Sequence, residues 1–408
     1  MTKLQQLAAM RVLYCTDTYL PQVNGVSIVT ALSVAGLSRL GWQCAVVAPQ
    51  YAEVAKTAAT DVVSIPSVPL PRYPEIRVAL PRVSSVSDLI DRFRPDLVHC
   101  ETEFSLGRAG QVAARRAGLP LVSSYHTDFA QYAEAYGAGW LRALVSRYLG
   151  RFHARSRRVY TPSSESRRTL LSLGLSKVDV EVWGRGVDTE LFHPGRRSQE
   201  LRAAFGMGSR FTFLYVGRLA PEKRVEQVVD AFRLASEMLP KGVIHLVLAG
   251  TGPREPGLRK ATPSGVTFLG VLDRQSRLPD LYANCDAFAF ASVTETLGLV
   301  VLEAMASGLP VIATPVGGVA DHLRHGENGL SCPEGNTLAM AHAMVALAGD
   351  YGLSRRLARG ARRTAERLSW EREMERLDQS YREVCEDFAH ASGNQHVTAV
   401  PRPRSLSA

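Results

Sequence analysis

The 408-residue chain contains no apolar run that approaches the ~20 residues of a membrane span. Its first residues, MTKLQQLAAMRVLY, lack the hydrophobic segment and cleavage site of an export signal, and their apolar stretch passes straight into a strand pattern. Cysteine is sparse: Cys15, Cys44, Cys100, Cys285, Cys332 and Cys385 have no paired spacing. Neither a zinc site nor a disulfide framework is indicated, and a reducing cytoplasm is the expected setting. There is no Asp-x-Asp metal motif. The first strand pattern is followed by neither a Gly-x-Gly-x-x-Gly turn nor a Walker loop. The missing glycine turn sets back a dinucleotide-dependent oxidoreductase built from two Rossmann halves. A formal charge of +9 attracts anions, whether nucleotides, nucleic acid or an acidic lipid surface. That charge is spread along the chain rather than gathered in a known nucleic-acid module, so no nucleic-acid partner is expected.

What is present describes a globular protein, 46% hydrophobic and 21% charged, too long for one core and so expected to form two domains. The first half alternates strand and helix patterns. Arg11 to Asp17 reads as a strand, and the loop Tyr19 to Ser27, with Asn24-Gly25 in it, opens a helix to about Leu40. Such a loop at a helix start is an anion site in many α/β proteins, but in isolation a tight structural turn is the favoured reading. Gln43 to Ala48, Leu97 to Cys100 and Leu121 to Tyr125 read as further strands. The proline-rich span Pro66 to Pro81 reads as a long irregular connection. His126-Thr127-Asp128 directly follows a strand, where doubly wound sheets place functional residues. Ala138 to Arg158 carries Trp140, Leu141, Leu144, Val145, Tyr148, Leu149 and Phe152 on one helical stripe, among six arginines and no acid. Core packing with a basic solvent face is the favoured reading, and attraction to anionic headgroups stays open beside it.

Between Arg185 and Glu200 the composition turns polar and basic, like a linker, and a second alternating half starts at Arg210. Phe211 to Val216 reads as a strand followed by the loop Gly217 to Arg224. In it Arg218 and Lys223 suit a diphosphate, one as a planar fork and the other as a point charge, although a solvated pair with Glu222 is the bland alternative. The stretch around which the rest is organised is ASVTETLGLVVLEAMASGLPVIA, Ala291 to Ala313. It reads as strand, loop, helix, turn, strand. Glu295 falls in the loop and Glu303 in the first turns of a helix beginning near Leu299. Gly298 permits close approach of the backbone, and the N–H groups around Leu297 to Leu299 form a donor-rich helix start. An ionised carboxylate only accepts hydrogen bonds, which suits vicinal diols, so each glutamate could take sugar or ribose hydroxyls. Two solvated glutamates on an ordinary α/β unit would look the same. A last helix runs from about Trp370 to Phe388, and residues 389–408 read as a disordered tail.

Taken together, Glu295-x7-Glu303, Gly217-Arg218…Lys223, His126-Thr127-Asp128, Asn24-Gly25 and Gly186-Val187-Asp188…Phe192…Pro194 resemble the retaining nucleotide-sugar glycosyltransferases of family 4 over roughly residues 10–388. The contexts Tyr125 to Phe129 and Pro74-Glu75-Ile76-Arg77 look most like bacterial GDP-mannose-dependent α-mannosyltransferases and related glycolipid glycosyltransferases. The resemblance implies an α/β protein of GT-B fold, two Rossmann-like doubly wound domains facing across a cleft. The domains would be 1–190, for the acceptor, and 191–369, for the donor, with helix 370–388 packing back on the first.

It also implies that Arg218 and Lys223 hold the diphosphate. Glu295 and the amides of Leu297 to Leu299 would hold the transferred sugar, Glu303 the ribose and the backbone around Val271 the base. Gly25 would close over the phosphate and His126 touch the sugar. Retention through a front-face reaction, with the departing phosphate assisting the acceptor, belongs to the same implication. So does a nucleotide-sugar co-substrate with no cofactor and no protein-held metal. Thr251 departs from the pattern, because many relatives carry an acid in that Gly-x-Gly-Pro turn.

The implied reaction is transfer of a hexose, mannose from GDP-mannose favoured, to a lipid or saccharide acceptor. A UDP-sugar-dependent transferase acting on a diacylglycerol-type acceptor is the alternative. The expected location is cytoplasmic, with peripheral contact at the inner face of the membrane left open. Pro66 to Pro81 and Tyr132 to Gly139 are the expected acceptor pocket.

Overall fold

The computed structural model describes residues 9–391 and 393, apart from 23, 52–56, 71–72, 82, 127–139, 141 and 185; of residues 70 and 73–76 it describes only the backbone. Contacts divide the chain into two compact units. The first holds 1–161, 167–183 and the chain from Met374 onward, and the second 162–166 with 184–373. The change of unit comes at Gly184, beside the polar segment that begins at Arg185 and a few residues ahead of the 190/191 division that the resemblance implies.

In the first unit the strands are β1 (Arg11–Cys15), β2 (Gln43–Pro49), β3 (Asp61–Ile65), β4 (Ser67–Leu70), β5 (Tyr73–Ala79), β6 (Leu97–Cys100), β7 (Leu121–Ser124), β8 (Arg158–Thr161) and β9 (Asp179–Val182). The helices between them are α1 (Gly25–Arg39), α2 (Val83–Phe93), α3 (Ser105–Arg116), α4 (Arg142–His153) and α5 (Ser164–Ser172). Seven strands form one sheet in the order β3-β2-β1-β6-β7-β8-β9, and β4 and β5 pair separately. Every pair in the large sheet is parallel. Burial on both faces explains why these strands read as unbroken apolar runs. Leu13, Ala45, Val47, Val98 and Leu121 lie in its core with the inner faces of α2 and α3.

Three expectations are corrected here. Pro66 to Pro81 is not an irregular connection: β4 and β5 form an antiparallel hairpin. Proline gives no ladder donor and is tolerated on such an edge ribbon, so its density there does not exclude strands. Asp61–Ile65, which the reading passed over, is the outer strand of the sheet. The apolar stripe on α4 is buried only at its far end. Leu149 and Phe152 are 2% and 1% exposed, but Leu144 is 65% and the preceding Trp140 81% exposed. Leu141 lies outside the described residues.

The second unit comprises β10 (Phe211–Val216), β11 (Ile244–Ala249), β12 (Val266–Gly270), β13 (Ala287–Phe290), β14 (Val311–Ala313) and β15 (Gly329–Ser331), in the order β12-β11-β10-β13-β14-β15. Its helices are α6 (Gln199–Ala204), α7 (Val225–Met238), α8 (Glu255–Ala261), α9 (Arg277–Asn284), α10 (Leu299–Ala306), α11 (Gly318–His322), α12 (Thr337–Gly349) and α13 (Tyr351–Arg367). The sheet is parallel throughout. The segment read as a linker is anchored in the core of this unit: its Val187 and Phe192 are buried in the same cluster as Phe213, Val301 and Leu302. Its basic residues misled the reading because they are structural. Arg196 pairs with Asp280, and Arg197 binds Asp286 and the Cys285 carbonyl.

The last helix, α14 (Trp370–Ala391), belongs to the first unit from Met374 onward. A Cβ on Gly36 of α1 would run into the Met374 sulfur, so glycine there lets the helix seat. Tyr381 then hydrogen-bonds Tyr14 at 2.9 Å, and Asp378 accepts from the Trp42 indole at 2.6 Å.

In both large sheets the strand order reverses beside the first strand, at β1/β6 and at β10/β13. Crevices beyond the carboxyl ends of strands at such reversals are where α/β sheets bind ligands.

Candidate functional site

At the β10/β13 reversal, three glycine turns are laced together by backbone. Gly217 donates to the Ala249 carbonyl at 3.0 Å, Leu219 to Thr251 at 2.9 Å, and Gly250 to Gly270 at 2.7 Å. A Cβ on Gly250, whose φ is +132°, would collide with the Gly217 carbonyl oxygen. Glycine is required there by the closeness of two main chains and by a backbone angle that other residues rarely adopt. These turns carry Arg218 and, one strand further, Val271, which is 77% exposed.

Lys223 closes a short 3-10 turn, Pro221–Lys223, ahead of α7. Its Nζ pairs with Glu295 Oε1, to which Ser292 Oγ also donates at 2.8 Å. Glu295 Oε2 has no partner among the described residues. The Arg218 guanidinium is exposed and likewise makes no hydrogen bond or ion pair with them. Lys223 is therefore not a solvated partner of Glu222. It joins the β10 loop to the β13 loop, where the two site candidates meet.

The β13 loop is held from behind. The Gly318 N–H donates to the Glu295 carbonyl at 2.8 Å. A Cβ on Gly317, at φ +62°, would strike that same carbonyl, and one on Gly318 would stand 2.5 Å from the Thr296 oxygen. Gly298, at φ +75°, turns the chain into α10 without a side-chain cap. The amides of Leu297, Gly298 and Leu299 make no hydrogen bonds with described residues, so they remain available as donors at a helix start.

One turn along α10, Glu303 is 2% exposed. Arg274, from the loop after β12, reaches its Oε1 through Nε at 3.1 Å and Nη2 at 2.5 Å. Tyr282 of α9 donates to Oε2 at 3.2 Å. Burial raises this carboxyl above its ordinary range, and Arg274 and Tyr282 draw it back.

In the first unit Gly25 is the exposed first residue of α1, with Asn24 capping the helix through the Ser27 N–H at 2.9 Å. Nothing described lies within 4 Å of where a Gly25 side chain would begin. His126 ends the β7 segment at 5% exposure, its Nε2 2.8 Å from Glu101 Oε1. The other oxygen of Glu101 is 3.0 Å from His99 Nε2. Burial alone would raise Glu101, but the two histidines outweigh it and hold the carboxyl well below the usual range. Thr127, Asp128 and the segment 132–139 lie outside the described residues.

Two family descriptions match the chain: "Glycosyltransferase Family 4" over residues 23–191 and "Glycosyl transferases group 1" over 210–350. A GDP-mannose-dependent alpha-mannosyltransferase of Corynebacterium glutamicum is 32% identical over 326 residues, 79% of this chain and 76% of its own. The chain belongs to glycosyltransferase family 4. An alpha-monoglucosyldiacylglycerol synthase of Streptococcus pneumoniae is 31% identical across 74% of this chain and 71% of its own. Among solved structures, Anabaena HepE in complex with UDP superimposes with a TM-score of 0.73 at 21% identity, covering 92% of this chain and all of that one. The GT-B fold with its two Rossmann-like domains is thereby established.

Within this glycosyltransferase the structure brings Lys223 and Glu295 into contact, sets the amides of Leu297 to Leu299 on the same loop, and places Glu303 on the helix that the loop opens. Arg218 and Val271 stand on the loops that follow β10 and β12. Gly25 and His126 belong to the other unit. Sequence reading missed Arg274, Tyr282, Ser292 and Glu101. Arg274, Tyr282 and Glu101 act on residues more than twenty positions away, and Ser292, three residues before Glu295, carries no motif of its own.

Proposed function

We propose that this glycosyltransferase moves mannose from GDP-mannose to a lipid or saccharide acceptor, with retention at the anomeric carbon and without a protein-held metal. The observation that carries the reading is the Lys223–Glu295 contact between neighbouring strand-end loops. It sets a cation for phosphate beside a carboxylate whose second oxygen is open to sugar hydroxyls. As the nucleoside diphosphate departs, negative charge grows on its oxygens. Lys223, Arg218 and the Leu297 to Leu299 amides then meet it already in position, which lowers the barrier. Glu303 accepts the ribose diol, and the backbone around Val271 meets the base. GDP-mannose is favoured by the corynebacterial relative's activity. Calorimetric titration with GDP-mannose and UDP-glucose, in buffer containing EDTA, is expected to show binding of GDP-mannose alone. Binding of UDP-glucose alone would instead favour the second reading, a UDP-sugar glycolipid transferase, which the similarity to the pneumococcal diacylglycerol enzyme supports.

A lipid acceptor is favoured by the surface around α4. Phe104, Trp140 and Leu144 are exposed there. Arg108, Arg115, Arg151 and Arg155 lie close enough that, after burial, the other three help lower the Arg155 guanidinium's pKa. Bulky apolar groups beside like charges suit an anionic bilayer surface. Among the described residues no helix is long and apolar enough to cross a membrane. Sedimentation with phosphatidylglycerol vesicles is expected to carry the protein down at low salt and release it at high salt. No salt-sensitive binding would remove the membrane from the reading.

A further inference from the structure

We propose that Arg274 is a positioning residue of the nucleotide site, its guanidinium fork holding the Glu303 carboxylate as an acceptor for the ribose diol. This rests on the reading of Glu303 as the ribose contact. The Glu303 side chain is 3% exposed and that of Arg274 21%. A ribose therefore meets the carboxylate beside the guanidinium, as one half of a pair. Both Arg274 donors converge on Oε1 and the Tyr282 hydroxyl takes one side of Oε2, which leaves lone pairs on Oε2 for a ligand. The fork is itself steadied, its guanidinium lying 5.3 Å from the Phe192 ring centroid.

Among the described residues no other charge does this work. Glu303 is the only charged residue of α10, and β13 and β14, which pack on that helix, are wholly apolar. From α13, Arg362 is committed to the carbonyls of Thr189, Phe192 and Ala306. A carboxyl buried to this degree keeps its proton unless a cation stabilises the charged form. Burial already raises Glu303, and without Arg274 the carboxyl rises further. At neutral pH it then stays protonated, and nucleotide affinity is lost below the new pKa and regained as pH climbs through it.

The test is calorimetric titration of the full chain with GDP, and with UDP in parallel, at pH 6.5, 7.5 and 8.5. Wild type, Arg274→Met, Arg274→Lys and Glu303→Gln are compared in two buffers of different ionisation enthalpy. For Arg274→Met the expected loss is about tenfold at pH 7.5, one pKa unit's worth, shrinking at pH 8.5. Binding should release close to one proton in that variant and almost none in wild type, and Arg274→Lys should restore most of the affinity. Should Arg274→Met melt early, Arg274→Gln repeats the test, since it keeps a donor toward Oε1 and removes only the charge. A loss equal at every pH with no proton released, while Glu303→Gln still weakens binding, overturns the role of Arg274 alone. Wild-type affinity in Glu303→Gln, or a wild type that binds neither diphosphate, overturns the donor-site reading beneath it.

Discussion

An Arg218→Ala/Lys223→Ala double variant loses transfer activity on the order of 10²-fold or more, with the loss chiefly in kcat. The two cations stand on one loop, and they act when the leaving diphosphate gathers charge, so ground-state affinity for the nucleotide falls much less. The single variants differ in an informative way. Arg218 has no partner among the described residues, so Arg218→Ala removes a donor and breaks no contact with them. Lys223→Ala also strands Glu295, whose Oε1 then keeps only the Ser292 hydroxyl. That variant should show a raised KM for the sugar nucleotide on top of slower turnover. Steady-state kinetics with the donor identified by calorimetry decides the matter, and near wild-type turnover in the double variant would sink the diphosphate assignment.

Gly317→Ala is expected to be as damaging, although the residue bears no functional group. The added methyl points at the Glu295 carbonyl oxygen, at a φ of +62° that alanine adopts only under strain. Strain and overpacking together cost about 2–4 kcal/mol, so the melting temperature should drop by several degrees. The activity loss should exceed what the lower stability accounts for at assay temperature. The loop forced aside carries Glu295, and misplacing a positioned group by ~1 Å can cost on the order of 10²-fold. Gly349, at a helix end with nothing within 4 Å of its would-be Cβ, is the control. Gly349→Ala should melt and turn over like wild type.

The alternation of strand and helix patterns was legible because parallel strands buried on both faces are mostly apolar, as FTFLYV and IHLVLA are with one polar residue each. The glutamate pair was legible because both lie on one loop–helix element. Misreadings came where composition imitates another class. Proline in β4 and β5 looked like loop, and the structural Arg196 and Arg197 looked like linker. Trp140 and Leu144 looked like core because periodicity records a helix's face and cannot say whether anything covers it. The pairings of Arg274 with Glu303 and of Glu101 with His126 were out of reach for a different reason. Parallel crossovers bring strand ends together from separate stretches of chain, and no local spacing encodes which ends become neighbours.

The assignment of α14 to the first unit has a consequence for synthesis. Residues 184–373 are almost the whole of the second unit in one continuous stretch, whereas the first unit is closed only by residues from Met374 onward. On the ribosome the usual vectorial order is therefore inverted. The half made second can finish folding while the half made first still waits, with Tyr14, Trp42 and His99 lacking Tyr381 and Asp378. During that interval the first unit offers an uncovered aromatic seam, and a nascent-chain chaperone would find its client there.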